Sequence, residues 1–366
     1  MKKNVQSILS IAMILWCTLN LNAQVSLEGS GDYGRIYDLT YDVTTEGKVY
    51  ALTMGNHLIE SQNNGQDWEI IYTFPVAGTT IKELRQIGDT TLSFYIRFSA
   101  NPADNTIYLF DLETNEISKQ YTPPVSTDAT KEWVNAYSIY EANTDIVLFN
   151  QDYKIGFANY SKVYYTVDGG DSWTEVYYNE DFDSVFPNNV AISPNNPDKF
   201  FISRSNGPTS VDGGLLVSDD AGATWVNKIP DYLFNEITFN PENPDIILTG
   251  TFGGSNTIEN IYKSEDAGDT WQIVPIAWDD YYSKSITHIA YNPNDVDNIM
   301  VLESNEIAIT VDGGATWNNY IYDANVISYY YGLHASFNPF QAGEVFISTD
   351  YYPVVSTDGG VTVSQL

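Results

Sequence analysis

Short runs of alternating apolar and polar residues fill the chain from about residue 30 onward, broken at close intervals by Pro, Gly, Asn and Asp. Alternation over a handful of residues predicts half-buried strands, and the breakers predict tight turns. Helix-period patterning is nearly absent. One shape recurs: VAISPNNPDKFFIS from Val190, ITFNPENPDIILTG from Ile237, IAYNPNDVDNIMVL from Ile289 and ASFNPFQAGEVFIS from Ala335. Each reads as a strand, a Pro/Asn turn that cannot continue a ladder, and a second strand.

A second pattern follows each of these: Ser/Thr, any, Asp, any, Gly, any, Ser/Thr, Trp. It stands as TVDGGDSW from Thr166, SDDAGATW from Ser218, SEDAGDTW from Ser264 and TVDGGATW from Thr310. Looser copies are SQNNGQDW from Ser61, with Asn63 in the Asp place, and STDGGVTV from Ser356, with Val363 in the Trp place. The starts are 105, 52, 46, 46 and 46 residues apart. The first gap is double the period, so it hides a degenerate unit, found in IYLFDLETNEISKQY from Ile107 to Tyr121 with a polar turn at Glu113 to Glu116. That makes seven units of four strands. The expectation is an all-β chain in which residues 24–366 form a single seven-bladed β-propeller of four-stranded antiparallel blades. The final strand, Val361 to Leu366, is short, so Val25 to Ser30 are expected to complete the last sheet and close the ring.

In the eight-residue turns, Asp168, Asp220, Asp266, Asp312 and Asp358 are placed to accept hydrogen bonds from turn backbone, and Trp173, Trp225, Trp271 and Trp317 to fold beneath the hairpin between sheets. These are structural roles. Calcium binding is disfavoured, because a calcium loop alternates several oxygen ligands and each turn supplies one carboxylate. The repeat resembles that of the Asp-box, or bacterial neuraminidase repeat, superfamily, which includes sialidases, xyloglucanases, sortilin-type receptors and a photosystem assembly factor. The resemblance spans nearly all of residues 30–366 and implies a sortilin-like or xyloglucanase-like propeller of a secreted, Bacteroidetes-type protein. It implies the fold and leaves the activity open.

Residues 1–23 read as a secretory signal peptide: Lys2 and Lys3, an apolar run from Ile8 to Leu19, and cleavage after Ala23. The expected location is therefore extracellular or at the cell surface, either released or as part of a longer protein. The one cysteine, Cys17, lies inside the signal, which leaves no disulfide for the exported form. With 48 acidic against 16 basic residues the formal charge is −32, and loss of Lys2 and Lys3 deepens it. Such a surface repels phosphate backbones and anionic lipid, so neither nucleic acid nor membrane insertion is expected.

If the two kinds of turn share one end of the blades, the irregular loops lie at the other. That end is rich in aromatics beside carboxylates, among them Trp133, Asp183, Trp278, Asp279, Asp280 and Tyr281, a composition suited to a glycan or peptide. Aligning the first strands on their Asn-Pro turns brings Asp38, Asn189, Glu236, His288 and His334 to equivalent places, a polar ring at the channel mouth. A Glu and two His could serve a metal or proton transfer, but bonding to water or neighbouring backbone is the preferred reading, and no metal or cofactor is assigned. A sialidase needs an arginine triad, and none of Arg35, Arg85, Arg97 and Arg204 extends past residue 204. Xyloglucanases, by resemblance, set one aspartate from each of two propellers across a cleft, and one propeller offers half of that. Asp183, Asp279 and Asp280 stay weak catalytic candidates. The expected function is a non-catalytic binding or scaffold propeller, monomeric, taking a glycan, peptide or protein. The alternative is a glycoside hydrolase.

Overall fold

The computed structural model describes residues 33–74, 80–97, 105–178, 185–206, 213–230, 232–252, 260–278, 285–303, 306–321, 334–348 and 354–365. They form seven four-stranded antiparallel sheets, each built from consecutive strands. Blade one covers residues 36–73, and the later blades 80–121, 131–178, 185–229, 234–275, 288–321 and 334–365. The first strands of neighbouring sheets touch, and that of blade seven touches that of blade one. This closes a seven-bladed β-propeller around a central axis.

Burial explains the strand sequences. Middle strands lie between two neighbouring blades and are buried on both faces, so Val49–Thr53 and Ile247–Thr251 are buried throughout. Outer strands such as Glu69–Thr73 and Thr174–Tyr178 stay largely in water. A cluster of buried apolar side chains fills each of the seven junctions between blades. Trp68, Trp173, Trp225, Trp271 and Trp317 each pack at the junction with the preceding blade, and Val363 does so in blade seven.

The eight-residue turns are built alike. In blade three, Thr166 Oγ1 donates to Asp168 Oδ1 at 2.7 Å, and the Gly170 amide donates to Thr166 Oγ1 at 3.0 Å. Ser172 donates to Asp168 twice, through its amide (2.9 Å) and its hydroxyl (2.6 Å). The same bonds form around Asp220, Asp266, Asp312 and Asp358. Blade one reverses one polarity: Asn63 Nδ2 donates to Asp67 Oδ2 at 2.9 Å, so the loss of the Asp is matched by a gain at the seventh position. In every blade an amide of this turn donates to a carbonyl of the turn between strands one and two, for example Gly169 to Asp145 (3.0 Å) and Ala221 to Asp198 (2.8 Å). The two kinds of turn therefore share one end of the ring. The degenerate blade keeps the bond, Leu112 to Thr90 at 2.9 Å, while Asp111 accepts from the amides of Glu113 and Thr114 and Ile117 fills the tryptophan place.

Hydroxyl and amide donors pull the Asp168, Asp266, Asp312 and Asp358 carboxyls down to about 2, and Asp220 shifts the same way. A carboxyl that binds its proton more weakly folded than unfolded adds stability above its unfolded value of 3.8 and loses it as pH falls through about 2. Asp312→Asn is accordingly expected to lower the melting temperature by a few degrees at pH 7, with the gap to the parent closing between about pH 4 and pH 2. An equal gap at pH 2 and pH 7 in thermal melts contradicts this origin.

The fourth place in the last sheet belongs to Ser364–Gln365, which pair with Val355 and Val354. The segment Val25 to Ser30, expected to complete this sheet, lies outside the described residues. Blades seven and one join through Phe346, packed among blade-one side chains, and through the Tyr41 hydroxyl donating to Glu344 Oε1 at 3.0 Å.

Candidate functional site

In blades one to five the first strand is interrupted by a bulge near its loop end. Bulges re-aim side chains, and here they do so in two ways. The extra residue reaches sideways: Asn135, Asn188 and Asn235 donate to the backbone carbonyls of Pro187, Phe234 and Ile286 in the next blade, at 3.4, 2.8 and 3.3 Å. The residue after it holds an equivalent place in each of these strands. Asp38, Arg85, Ala136, Asn189 and Glu236 hold this place in blades one to five, and His288 and His334 open the corresponding strands of blades six and seven.

Four of these side chains form a continuous string, and Arg85 lies close enough for its charge to act on Glu236 and His334. Glu236 Oε1 lies 3.6 Å from His288 Nδ1, the two imidazoles are 4.5 Å apart between centroids, and His334 Nδ1 lies 3.8 Å from Asp38 Oδ1. The Asp38 carboxylate is anchored by the amides of Leu39 (2.9 Å) and of Leu84 in blade two (3.0 Å). Next to Leu84, Arg85 donates to Glu83 Oε2 at 2.8 Å, with its guanidinium 5.3 Å from the centre of the Tyr137 ring. Solvent still reaches a third of the His334 side chain. Surrounding protein, then His288 and Arg85, hold the His334 pKa well below the ordinary histidine value. The ring is neutral at pH 7 and its Nδ1 makes no hydrogen bond.

Of the residues singled out in the sequence, the structure thus brings together Asp38, Glu236, His288 and His334. Trp133 stands at the loop end of blade three's first strand, with Lys131 Nζ 5.7 Å from its ring, and Trp278 packs against the cluster between blades five and six. Neither joins the ring. Asp183, Asp279, Asp280 and Tyr281 lie outside the described residues. Among the described residues, no group of three or more His, Cys, Asp or Glu is arranged to hold a metal ion. Sequence alignment missed Arg85 and Ala136, because blade two turns at Gly88 and Asp89 and offers no Asn-Pro anchor. Arg85 does stand one repeat length beyond Asp38, which is the pattern that could have found it.

Fold and site together define a seven-bladed β-propeller with a charged, water-accessible channel mouth. No family model matches the sequence, and no curated protein matches it. Solved structures share its architecture at low identity. A xyloglucanase of glycoside hydrolase family 74 from Xanthomonas campestris superimposes with a TM-score of 0.61 at 12% identity, over 90% of this chain and 53% of that one. The chain thus spans about half the length of that enzyme. The extracellular domain of the one component system BT4673 from B. thetaiotaomicron gives 0.55 at 12% identity, over 90% and 39%. YCF48 bound to D1 peptide gives 0.52 at 13% identity, over 89% and 92%. At such identities the likeness establishes the fold alone. No helix among the described residues is long and apolar enough to cross a membrane.

Proposed function

We propose that this chain is a secreted propeller of the Asp-box type that binds a glycan or peptide at its loop-rich face, with the channel mouth as the centre of the site, and that it does not catalyse. The carrying observation is the string from Glu236 through His288 and His334 to Asp38, polar and reached by solvent, with a neutral imidazole nitrogen lacking a hydrogen bond. The peptide-bound neighbour matches over nearly its whole length, whereas about half of the xyloglucanase is spanned. The basic, then apolar, N-terminus supports export, and the DxG turns support the Asp-box assignment.

The test is a glycan and peptide array with polysaccharide pull-down on the protein lacking residues 1–23, with reducing-sugar release assayed on every polymer retained. Retention without release is the expected outcome. Release would make the protein a glycoside hydrolase and direct mutagenesis to Asp183, Asp279 and Asp280.

A further inference from the structure

We propose that Glu132 is a proton-operated clamp on the strap 122–130, which crosses the loop-rich face from blade two to blade three: protonated it holds the strap down, and ionised it lets the strap lift. The inference stands whether or not the channel mouth binds a ligand.

The strap joins the outer strand of blade two, which ends at Tyr121, to the first strand of blade three, which begins at Lys131. Four hydrogen bonds pin its backbone. The Thr122 carbonyl accepts from the Trp173 indole (3.1 Å) and the Pro124 carbonyl from Gln151 Nε2 (3.0 Å), while the Thr130 amide donates to the Lys154 carbonyl (2.8 Å). These three use neutral groups. In the fourth, the Ser126 amide donates to Glu132 Oε1 at 2.6 Å, so this pin ends on a group that gains and loses charge.

Glu132 is 2% exposed, and its second oxygen, Oε2, is buried without a hydrogen bond. Asn105, just ahead of the third strand of blade two, is 1% exposed, and its Oδ1 is likewise buried and unbonded. The Asn105 Nδ2 donates to the Glu132 carbonyl, so the two orphaned oxygens belong to residues already bonded to each other. Buried acceptors with no donor are costly, and a proton on Oε2 turns one of the two into a donor. The surrounding charges do not offset an anion here. Lys162, on the third strand of blade three, acts on Glu132 but is held by Glu175 at 2.8 Å. Tyr153 stands opposite Glu132 in register, Tyr164 lies within electrostatic reach, Asp128 of the strap is exposed to water, and Asn105 from blade two is neutral. Burial outweighs the Ser126 amide and Lys162, and pushes the Glu132 pKa up.

A carboxyl that binds its proton more tightly folded than unfolded favours the fold below its unfolded value of 4.5. That advantage is lost as pH rises through the higher folded value. Acid therefore closes the clamp and alkali weakens it. Beside Ser126 the strap carries Val125, more than half exposed, so its lift changes the apolar surface offered on the loop-rich face.

The experiment follows the Ser126 amide by NMR from pH 4 to pH 8, as chemical shift and as hydrogen-exchange protection corrected for the intrinsic rate. The parent is compared with Glu132→Gln, whose side-chain amide imitates the protonated acid. The Tyr140 amide, bonded to the Ile146 carbonyl at the other end of the same blade (3.0 Å), is the internal control. In the parent, Ser126 should titrate with a midpoint above 4.5 and lose about tenfold in protection between pH 5.0 and pH 8.0, the change that one pKa unit carries. Tyr140 should stay constant, and Glu132→Gln should keep Ser126 protected at pH 8.0 with no titration. A midpoint at or below 4.5, unchanged protection in the parent, an equal loss at Tyr140, or weaker protection of Ser126 in Glu132→Gln than in the parent at pH 8.0 would overturn the inference. If the variant does not fold, the parent's own titration and exchange decide.

Discussion

Replacement of Phe149 by alanine is expected to destabilise the protein by about 3–5 kcal/mol, near the upper end for a single core truncation. Phe149 is fully buried in the second strand of blade three. Its ring stacks on Tyr164 at 5.4 Å and meets Trp173 edge-on at 4.8 Å. Trp173 in turn donates its indole N–H to the Thr122 carbonyl, at the end of blade two. One side chain thus supports both the blade's own sheet and the junction with its neighbour. In chemical denaturation the loss should be read against Phe157→Ala, eight residues on, where the ring is fully exposed and the change should stay within about 0.5 kcal/mol. Comparable losses at the two positions would mean that the junction between blades two and three is not packed as described.

The second large effect is expected at Gly268, the conserved-in-place glycine of the blade-five turn. Its φ of +91° lies in the left-handed region, and a β-carbon there would stand 2.5 Å from Cε1 of Phe201. Phe201 cannot retreat, being fully buried and set edge-on to Phe239 at 5.7 Å. Backbone strain and overpacking together put Gly268→Ala at roughly 2–5 kcal/mol. Gly359 provides the contrast. A β-carbon there meets nothing within 4 Å, and the equivalent places in blades four and five already hold Ala221 and Ala267, at φ of 53° and 57°. Gly359→Ala should cost about 1 kcal/mol or less. Similar melting temperatures for the two variants would contradict the turn geometry.

These contrasts also show where the sequence could be read. The fold was legible because each turn uses local chemistry that repeats: an Asp, a glycine and a tryptophan at set spacings. Blade two lacks two of the three, yet the doubled gap revealed it, and Asp111 with Ile117 shows how the turn survives. The channel ring was legible wherever an Asn-Pro turn gave the alignment an anchor. Arg85 lacked that anchor, and the bulges that aim these side chains leave no mark in the apolar pattern. The short last strand pairs at Ser364–Gln365, while the segment expected to join it, Val25 to Ser30, lies outside the described residues. The loop aromatics and aspartates were legible as a composition only. Their positions depend on how irregular segments pack, and no residue periodicity encodes that.

The most direct test of the account is to locate binding on the ring. The array ligand should be measured against Asn189→Arg, at the channel mouth, and against Asp171→Arg, in the turn at the opposite end of blade three. The account predicts that the first variant loses binding at least about tenfold through obstruction of the mouth, while the second keeps parental affinity. Binding that survives at Asn189 and is lost at Asp171 would place the site on the wrong end of the propeller and contradict the account.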